Sequence, residues 1–282
     1  MPPRLELNLV ALVAALGQRA CHFDIDLLEQ CDSTNSVLLA RAETGAASGS
    51  VVVARAQNAG RGRRGRAWIS AVGDSLTFSL LWRLPHGVQP AGLSLAAGLA
   101  VARALEKVSS VGAGDTPSFM PAQLKWPNDI LLDGRKLGGI LVELLPGATH
   151  GSNAAVIGCG INLRLPAAMP DELRAQSAAV SDVGLMRDAE VDPNTVLAAL
   201  LIALRDTLEQ FTRGGFASLQ AQWMAHDAYA DKAVRILSEF AAPLDGICRG
   251  VNTDGALRLE VDGKIQHLLS GEVSLRPIRY AP

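Results

Sequence analysis

The order of apolar and polar positions predicts a mixture of strands and helices up to about residue 230. Apolar residues at 23, 25 and 27 alternate with acidic ones, which is typical of a half-buried strand. Short apolar runs predict further strands at 51–54, 76–82, 124–126 and 154–165, and a hairpin over 130–145. Helical periodicity predicts helices at 9–16, from 33–35 to Gly45, and at 92–108, 194–212 and 216–229. Since hairpin-like strands and helices alternate irregularly, the fold class is α+β.

The pattern changes after Asp231, where short strands recur between turn sequences. These strands are predicted at 233–237, 246–251, 256–261 and 265–269. The turns Thr-Asp-Gly at 253–255 and Asp-Gly at 262–263 are typical of β-hairpins. We expect two units, 1–230 and 231–282. A β module of about fifty residues is marginally stable alone, so we expect it to pack on the larger unit.

Composition narrows the class of protein. Among 282 residues, 49% are apolar and 19% charged, which indicates a globular chain rather than a disordered one. The 26 basic and 28 acidic residues leave a net charge of -2. This balance excludes an overall basic surface for nucleic acid or anionic lipid, although a local patch remains compatible with it.

Cysteine usage and the apolar N-terminal run bear on compartment. Four cysteines are widely spaced without a C-x-x-C pair, so neither a zinc site nor a disulfide framework is indicated, and a reducing, cytoplasmic location is expected. Residues 9–16 are apolar, but a single basic residue precedes them and a poor cleavage sequence follows, which favours a helix over a signal peptide. No other run approaches the roughly 18 apolar residues of a membrane span.

A glycine- and arginine-rich segment is the first candidate for chemistry. Residues 60–66 read G-R-G-R-R-G-R, which contains G-x-G-x-x-G. No helix is predicted after it and no kinase motifs follow, so neither a dinucleotide fold nor a protein kinase is indicated. Four arginines within six residues match carboxylate or phosphate oxygens. We expect a mobile loop that orders over an anionic ligand, with a solvated basic turn or a nucleic-acid patch as the alternatives.

A second candidate site follows in K-W-P-N-D-I at 125–130 and D-G-R-K-L-G-G at 133–139. Pro127 forces a turn at a strand end, where Lys125, Asn128 and Asp129 offer polar groups. Gly138 and Gly139 leave the returning strand bare, which allows a flat ligand to approach backbone amides. An ordinary hairpin with a lysine on its rim is the alternative for either segment alone.

A third segment, V-I-G-C-G-I-N-L at 156–163, carries two glycines and an amide. Gly158 and Gly160 indicate a bulge or a close ligand approach. Taken alone, a packed strand is the favoured interpretation.

Together these segments resemble the biotin protein ligases, also called biotin–[acetyl-CoA carboxylase] ligases. The matching segments are D-S-T-N at 32–35, Q-N-A-G-R-G-R-R-G-R-A-W at 57–68, K-W-P-N-D at 125–129, R-K-L-G-G-I-L-V-E at 135–143, G-x-G-I-N at 158–162 and G-E-V-S-L-R at 271–276. The resemblance covers nearly the whole chain. It implies a central mixed β-sheet with flanking helices, as in class II aminoacyl-tRNA synthetases, plus a small C-terminal SH3-like β-barrel.

The resemblance also implies a reaction. Biotin and ATP, with Mg2+, form biotinyl-5'-AMP and pyrophosphate, and a lysine of the biotin carboxyl carrier protein then takes the biotinyl group. By position, Ser33, Thr34, Asn35 and Gln57 face the biotin ring. Arg61, Gly62 and Arg63 are expected to hold the biotin tail and the phosphate, and Lys136 to reach the biotinyl carbonyl and phosphate. Gly139 lies on the bare strand, and Asn162 is a weaker candidate for the adenine side.

Roles in catalysis follow from charge. A carboxylate attacks the α-phosphorus of ATP, so Arg63 and Lys136 are expected to neutralise the two anions. Asp129, beside Lys125, is expected to orient the carrier amine or to accept its proton. The magnesium ligands stay unassigned.

Two departures from the family pattern matter. D-S-T-N begins at residue 32, which leaves no room for the N-terminal DNA-binding domain of some members, so DNA binding is not expected. Residues 69–73 lack the prolines that often follow the tryptophan, so the hinge of the loop is expected to differ.

Several alternatives stay open. Another acyl-adenylating enzyme, such as a lipoate ligase, is the first. A nucleic-acid-binding protein without enzymatic activity is the second, although the arginines lack interleaved aromatic residues. The resemblance is compatible with a monomer or a homodimer, and we expect no membrane association.

Overall fold

A seven-stranded mixed sheet forms the centre of the larger unit. The computed structural model describes residues 6–69, 72–110, 121–145, 153–167, 169–182, 192–238, 241–269 and 273–278. The strands of the large sheet are β1 (Asp24–Cys31), β2 (Ser50–Gln57), β3 (Ser75–Arg83), β4 (Gln123–Lys125), β5 (Asp129–Leu132), β6 (Arg135–Leu145) and β7 (Ala154–Asn162). Their order is β1-β2-β3-β7-β6-β5-β4. The β1–β2 pair is parallel, and the other pairs are antiparallel.

Helices cover both faces of this sheet. They are α1 (Leu9–Leu16), α2 (Thr34–Glu43), α3 (Leu93–Ser110), α4 (Asp171–Gln176), α5 (Pro193–Gly214) and α6 (Gln220–Ala225). Val51 and Val53 point into the main core with α1, α3 and α5, whereas Val52 points into a smaller core under α2. The alternation follows from the two-residue period of a strand, and it makes β2 apolar on both faces.

Local capping explains where two of the helices begin. The Asn8 side chain accepts hydrogen bonds from the backbone amides of Val10 and Ala11 at the start of α1. Asp192 does the same for Asn194 and Thr195, and Pro193 occupies the first turn of α5. Both patterns satisfy amides that a helix leaves unpaired at its N-terminus.

The small C-terminal unit is a five-stranded antiparallel sheet. Its strands are β8 (Ala233–Ser238), β9 (Leu244–Val251), β10 (Leu257–Val261), β11 (Lys264–Leu268) and β12 (Val273–Pro277), in the order β11-β10-β9-β8-β12. It packs on the larger unit as expected: Trp126 Nε1 donates to Gly255 O at 3.1 Å. A Cβ at Gly255 would lie 2.8 Å from Gly92 Cα, so the turn sits directly against the start of α3. The predicted α+β class is confirmed.

Three predicted features differ from the structure. The predicted helix at 216–229 is wrong beyond Ala225: a single 3-10 turn at Phe216–Ser218 precedes α6, and α6 ends at Ala225. Leu124 then donates its amide to His226 O at 2.7 Å and accepts from the Ala228 amide at 2.9 Å. Backbone hydrogen bonds to the sheet edge therefore hold 226–228 as turns around an isolated bridge to Leu124, and no local periodicity reveals these contacts. Short α4 and strand β12 were not predicted.

Two of the segments discussed above lie partly outside the described residues, namely 69–73 and G-E-V-S-L-R at 271–276. Within the described ranges, no helix is long and apolar enough to cross a membrane.

Candidate active site

One cavity lies where the arginine loop (residues 58–68), the β4–β5 turn, strands β6 and β7 and strand β12 meet. It brings together the predicted site residues from four separate segments of the chain. Those on its wall are Ser33, Thr34, Asn35, Gln57, Arg61, Gly62, Arg63, Lys125, Asp129, Lys136 and Gly139.

Asn162 is placed differently. It lies at the end of β7, and its Nδ2 donates to Ala178 O at 3.0 Å and to Lys136 O at 3.4 Å. It does not belong to the cavity wall. Its contact in the structure is therefore with the backbone beside Lys136, and its assignment to the adenine side stays a prediction.

A buried polar cluster closes one end of the cavity. It consists of Thr34, Asn35, Gln57 and Ser79, and we call it the polar cluster. The Thr34 amide donates to Gln57 Oε1 at 2.8 Å, and Ser79 Oγ lies 2.8 Å from Thr34 Oγ1. Ser33 occupies the cap position of α2 but makes no capping hydrogen bond through its side chain. The helix start therefore presents its polar side chains to the cavity rather than to its own amides.

Asn35 is held from three sides. Its Oδ1 accepts from Ser79 Oγ at 2.6 Å, and its Nδ2 donates to Glu143 Oε2 at 2.7 Å and to Leu141 O at 3.3 Å. A Cβ at Gly158 would overlap the Asn35 side chain. The favoured interpretation of this segment, a packed strand, is confirmed, and the alternative of a bulge is not, because β7 pairs with β3 and β6 in regular register. The close approach that the glycine permits is that of Asn35.

The arginine loop connects β2 to β3 and folds back on itself. Gly62 donates its amide to Arg66 O at 2.7 Å, and a single 3-10 turn spans Arg63–Gly65. Arg61 Nη2 pairs with Glu143 Oε2 at 2.9 Å, and Arg63 Nη1 donates to Asn128 Oδ1 at 3.3 Å. These bonds hold the loop over the cavity, so that guanidinium groups line it.

Two lysines share the carboxylate of Asp129. Lys136 Nζ lies 2.6 Å from Oδ1, and Lys125 Nζ lies 3.2 Å from Oδ2. Burial opposes ionisation of Asp129, but the two ammonium groups outweigh it and hold the pKa of this carboxyl below its ordinary value of 3.8. Burial lowers the pKa of Lys125 below 10.5; Asp129 opposes that shift, and the charge of Arg276 adds to it.

Glycines on β6 and β7 make room beside this triad. A Cβ at Gly139 would lie 3.4 Å from Lys136 Nζ, so the bare position faces the cavity as predicted. A Cβ at Gly138 would lie 2.6 Å from Gly160 O, which shows that Gly138 serves sheet packing instead. A Cβ at Gly160 would overlap the indole of Trp68.

Trp68, Ser79 and β12 contribute to the site without having been assigned from the residues. The Trp68 indole Nε1 is buried and has no hydrogen-bond partner among the described residues. Lys136 Nζ lies 5.9 Å from the Trp68 ring centroid, within cation–π range. Ser274 and Arg276 of β12 line the cavity from the C-terminal unit. Trp68 and Arg276 could have been assigned to the site from the sequence, because both lie in segments that match the family. Ser79 lies in an apolar strand that carries no motif, so the sequence did not indicate its role.

Comparison with known proteins shows which family the chain is similar to. The model of the biotin/lipoate A/B protein ligase family matches residues 27–162, and that of the biotin protein ligase C-terminal domain matches 231–276. The chain is 39% identical to the bifunctional ligase/repressor BirA of Salmonella typhimurium, over 90% of this chain and 74% of that protein. It is 34% identical to a biotin–[acetyl-CoA-carboxylase] ligase of Mycobacterium tuberculosis, over 88% of both chains.

Among solved structures, the biotin protein ligase from Aquifex aeolicus in complex with biotin and ATP is similar. It aligns with a TM-score of 0.73 and 27% identity, over 90% of this chain and 99% of that one. Fold and cavity together define an enzyme that binds a nucleotide and an acyl group. The chain belongs to the biotin/lipoate A/B protein ligase family, in its biotin protein ligase branch.

Proposed function

We propose that this protein activates biotin with ATP to biotinyl-5'-AMP and then transfers biotin to a lysine of the biotin carboxyl carrier protein of acetyl-CoA carboxylase. The observation that carries the proposal is the Lys125–Asp129–Lys136 triad beneath the arginine loop, next to the polar cluster. The cavity therefore has cationic groups, which suit an anionic phosphate, and neutral polar groups, which suit a neutral bicyclic ring. The proposed intermediate joins such a phosphate to such a ring.

The first half-reaction is an attack of the biotin carboxylate on the α-phosphorus of ATP. Two anions repel each other, so positive charge close to both of them lowers the barrier. Arg63 lines the cavity from the loop, and Lys136 lines it from β6. Held in this way, the two reactants also avoid much of the entropy cost of a bimolecular encounter.

The polar cluster is the proposed site for the biotin ring. The fused ureido group of biotin offers two N–H donors and one carbonyl acceptor. Thr34, Asn35 and Gln57 supply hydroxyl and amide groups that are buried or half-buried and already oriented by one another. Preorganised polar groups bind such a ring with a smaller loss of conformational entropy, because they are already ordered. Ser33 lies at the same end of the cavity.

The phosphate end is assigned to the loop and to the lysines. Arg61, Gly62 and Arg63 are proposed to hold the biotin tail and phosphate, and Gly139 leaves room beside Lys136 for the acyl-phosphate. Asn162 remains a candidate on the adenine side through its contact with the backbone at Lys136. A mixed anhydride hydrolyses readily, so we infer that the loop also excludes water from the intermediate.

In the second half-reaction, a neutral carrier amine attacks the acyl carbon. Asp129 is ionised and already shares its charge with two lysines, and its lowered pKa makes it a weak proton acceptor. We therefore assign it to orienting Lys125, Lys136 and the incoming amine. Lys125, 3.2 Å from Asp129, has a pKa that burial lowers below its ordinary value.

Mg2+ enters the proposal as part of the nucleotide substrate. Among the described residues, no cluster of three His, Cys, Asp or Glu side chains is placed to hold a metal ion. Mg2+ commonly keeps several waters and binds mainly through substrate phosphates, so a magnesium–ATP complex fits a cavity lined by arginines and lysines.

Four further assignments are proposals. We place the boundary between a catalytic unit and the C-terminal β unit at 230/231, in agreement with the family match that begins at residue 231. The unpaired state of all four cysteines supports a reducing, cytoplasmic location. The absence of DNA binding and the choice between monomer and homodimer stay predictions, which an operator-binding assay and sedimentation would test.

The deciding experiment measures pyrophosphate release from ATP with and without biotin, then biotin transfer to a carrier domain. We expect release that requires biotin, and transfer to the single carrier lysine; lipoate in place of biotin is the matched control and should give neither. Release with lipoate but not with biotin would contradict the proposed substrate. Release with biotin but no transfer would contradict the proposed acceptor.

A further inference from the structure

Glu143 joins two parts of the site. One oxygen of its carboxylate, Oε2, accepts from Asn35 Nδ2 at 2.7 Å and from Arg61 Nη2 at 2.9 Å. Asn35 belongs to the polar cluster, and Arg61 belongs to the arginine loop. We propose that Glu143 is a positioning residue that latches the arginine loop to the polar cluster; what occupies the closed site rests on the function proposed above.

The orientation of Asn35 depends on this carboxylate. A carboxylate accepts hydrogen bonds and cannot donate them, so Nδ2 of Asn35 must face Glu143 and Oδ1 must face Ser79. The other recorded partner of Nδ2, Leu141 O, is at the longer distance of 3.3 Å. Without Glu143, the amide loses the shorter and charged one of the two acceptors that hold its Nδ2 end. A flipped amide would present an acceptor where the ring-binding cluster now presents a donor.

The position of the loop depends on the same atom. The bond from Gly62 to Arg66 O and the bridge between Arg61 and Ala67 tie the loop to itself. The Arg61–Glu143 pair instead ties it to the sheet. Because the Arg61 side chain is 42% exposed, solvent screens this pair. It can therefore bias the loop towards closure and still break when a ligand enters.

Glu143 is well placed for this task because it stands on a rigid element. It lies on β6, opposite Val156 of β7, in an uninterrupted antiparallel pairing. Alternate residues of a strand share a face, which puts Glu143 on the same face as Gly139 and Leu141 of the cavity wall. The sheet therefore holds the Glu143 carboxylate in a fixed position, where it contacts both the arginine loop and Asn35.

Two variants separate the two contacts. Glu143→Gln keeps an oxygen that can accept from Asn35 but removes the charge that attracts Arg61, whereas Glu143→Ala removes both. Glu260→Gln is the matched control, since Glu260 pairs with Arg249 Nε at 2.7 Å in the C-terminal unit and is 30% exposed, close to the 25% of Glu143.

The first measurement is trypsin cleavage within residues 61–66 of the ligand-free full-length protein. The loop offers four arginines, and a loop held by the Arg61–Glu143 pair should resist the local opening that cleavage requires. We expect cleavage to be about 2- to 5-fold faster in both Glu143 variants than in the wild type and in Glu260→Gln. This factor corresponds to the loss of the free energy of one screened ion pair. Equal cleavage rates in all four folded proteins would overturn the latch.

The second measurement separates KM for biotin from kcat in pyrophosphate release. We expect Glu143→Ala to raise KM about 10-fold, because a buried amide loses its partner, and Glu143→Gln to stay within about 2-fold. A fall in thermal midpoint with KM unchanged would mean that Glu143 is merely structural. If the wild type itself shows no biotin-dependent release, the proposed function fails, and the ligand-free cleavage comparison still decides the latch.

Discussion

Replacing Asp129 by asparagine removes one negative charge from between two ammonium groups while the size of the side chain is preserved. In the wild type, the carboxylate lies 3.2 Å from Lys125 Nζ and 2.6 Å from Lys136 Nζ. The Lys125 side chain is 11% exposed and that of Asp129 is 17% exposed, so this pair is desolvated. Lys136 is 41% exposed and reaches solvent, which screens its half of the triad.

These environments set the size of the effect. Removing one partner of a buried ion pair costs about 3–5 kcal/mol, because the other charge is left uncompensated, and an exposed pair adds at most about 1 kcal/mol. Asparagine still accepts one hydrogen bond from a lysine. We therefore expect Asp129→Asn to lower the free energy of unfolding by about 3 kcal/mol near pH 7, at the low end of the buried-pair range.

The pH dependence has a definite sign. The folded pKa of Asp129 is below its ordinary value, so its contribution is fully present above about pH 4 and is lost as the pH falls through the folded pKa. The pKa of Lys125 is lowered by burial and raised by Asp129, so it falls further in the variant. In the folded variant, Lys125 therefore loses its proton at a lower pH than in the wild type, and the unpaired positive charge disappears. We expect the difference in the free energy of unfolding between the two proteins to decrease from pH 7 to pH 9.5.

Urea unfolding followed by tryptophan fluorescence measures the free energies, and single-turnover transfer from preformed biotinyl-adenylate measures the role in transfer. We expect transfer to slow, because the lysines lose their common anchor. Asp245→Asn, at an exposed pair with Arg235, is the control and should change neither quantity. The reasoning is refuted if Asp129→Asn unfolds within about 0.5 kcal/mol of the wild type and transfers biotin at the normal rate.

Three further outcomes are expected. Arg63→Ala should leave the fold intact and lose adenylate formation or retention, and a folded variant that retains adenylate normally on gel filtration would contradict the role of Arg63. Gly158→Ala should weaken biotin binding in calorimetry, because its Cβ would overlap Asn35; unchanged affinity would mean that the polar cluster does not hold the ring. Thiol titration of the native protein at pH 8 should modify the exposed Cys21 quickly and leave Cys248 unmodified until urea is added. Burial and the neighbouring Asp227 raise the pKa of Cys248 to about 12, so little of the reactive thiolate is present. Rapid reaction of Cys248 in the native protein would refute its burial.

Local patterns account for much of the fold. The alternation at 23–27 and the apolar run at 51–54 indicated β1 and β2 because side chains of a strand point alternately to its two faces. The Asp-Gly turns indicated the β9–β10 and β10–β11 hairpins because such residues tolerate positive φ, as Gly255 and Gly263 do here. Where the deciding contact is remote, local patterns fail: the chain at 226–228 leaves the helix and makes backbone hydrogen bonds with Leu124, about a hundred residues away.

The candidate site divides in the same way. The chemical groups of the site could be recognised in the sequence, because arginine clusters, glycine pairs and lysines beside a proline turn are properties of short segments. The resemblance to biotin protein ligases grouped them in advance. What the residues alone did not predict is that Asp129 binds both lysines or that Ser79 bridges Thr34 and Asn35.

The sequence by itself therefore determined most of the helices and strands, the α+β class and the residue types available for chemistry, because these depend on periodicity and composition over a few neighbouring positions. The tertiary structure decided which of those residues meet. The sheet order β3-β7-β6-β5 places Ser79 opposite Gly158, Gly158 opposite Leu141 and Asp129 opposite Gly139. Such meetings depend on hydrogen bonds and packing between residues far apart in the chain, and these also fix the charge and orientation that each group has in the site.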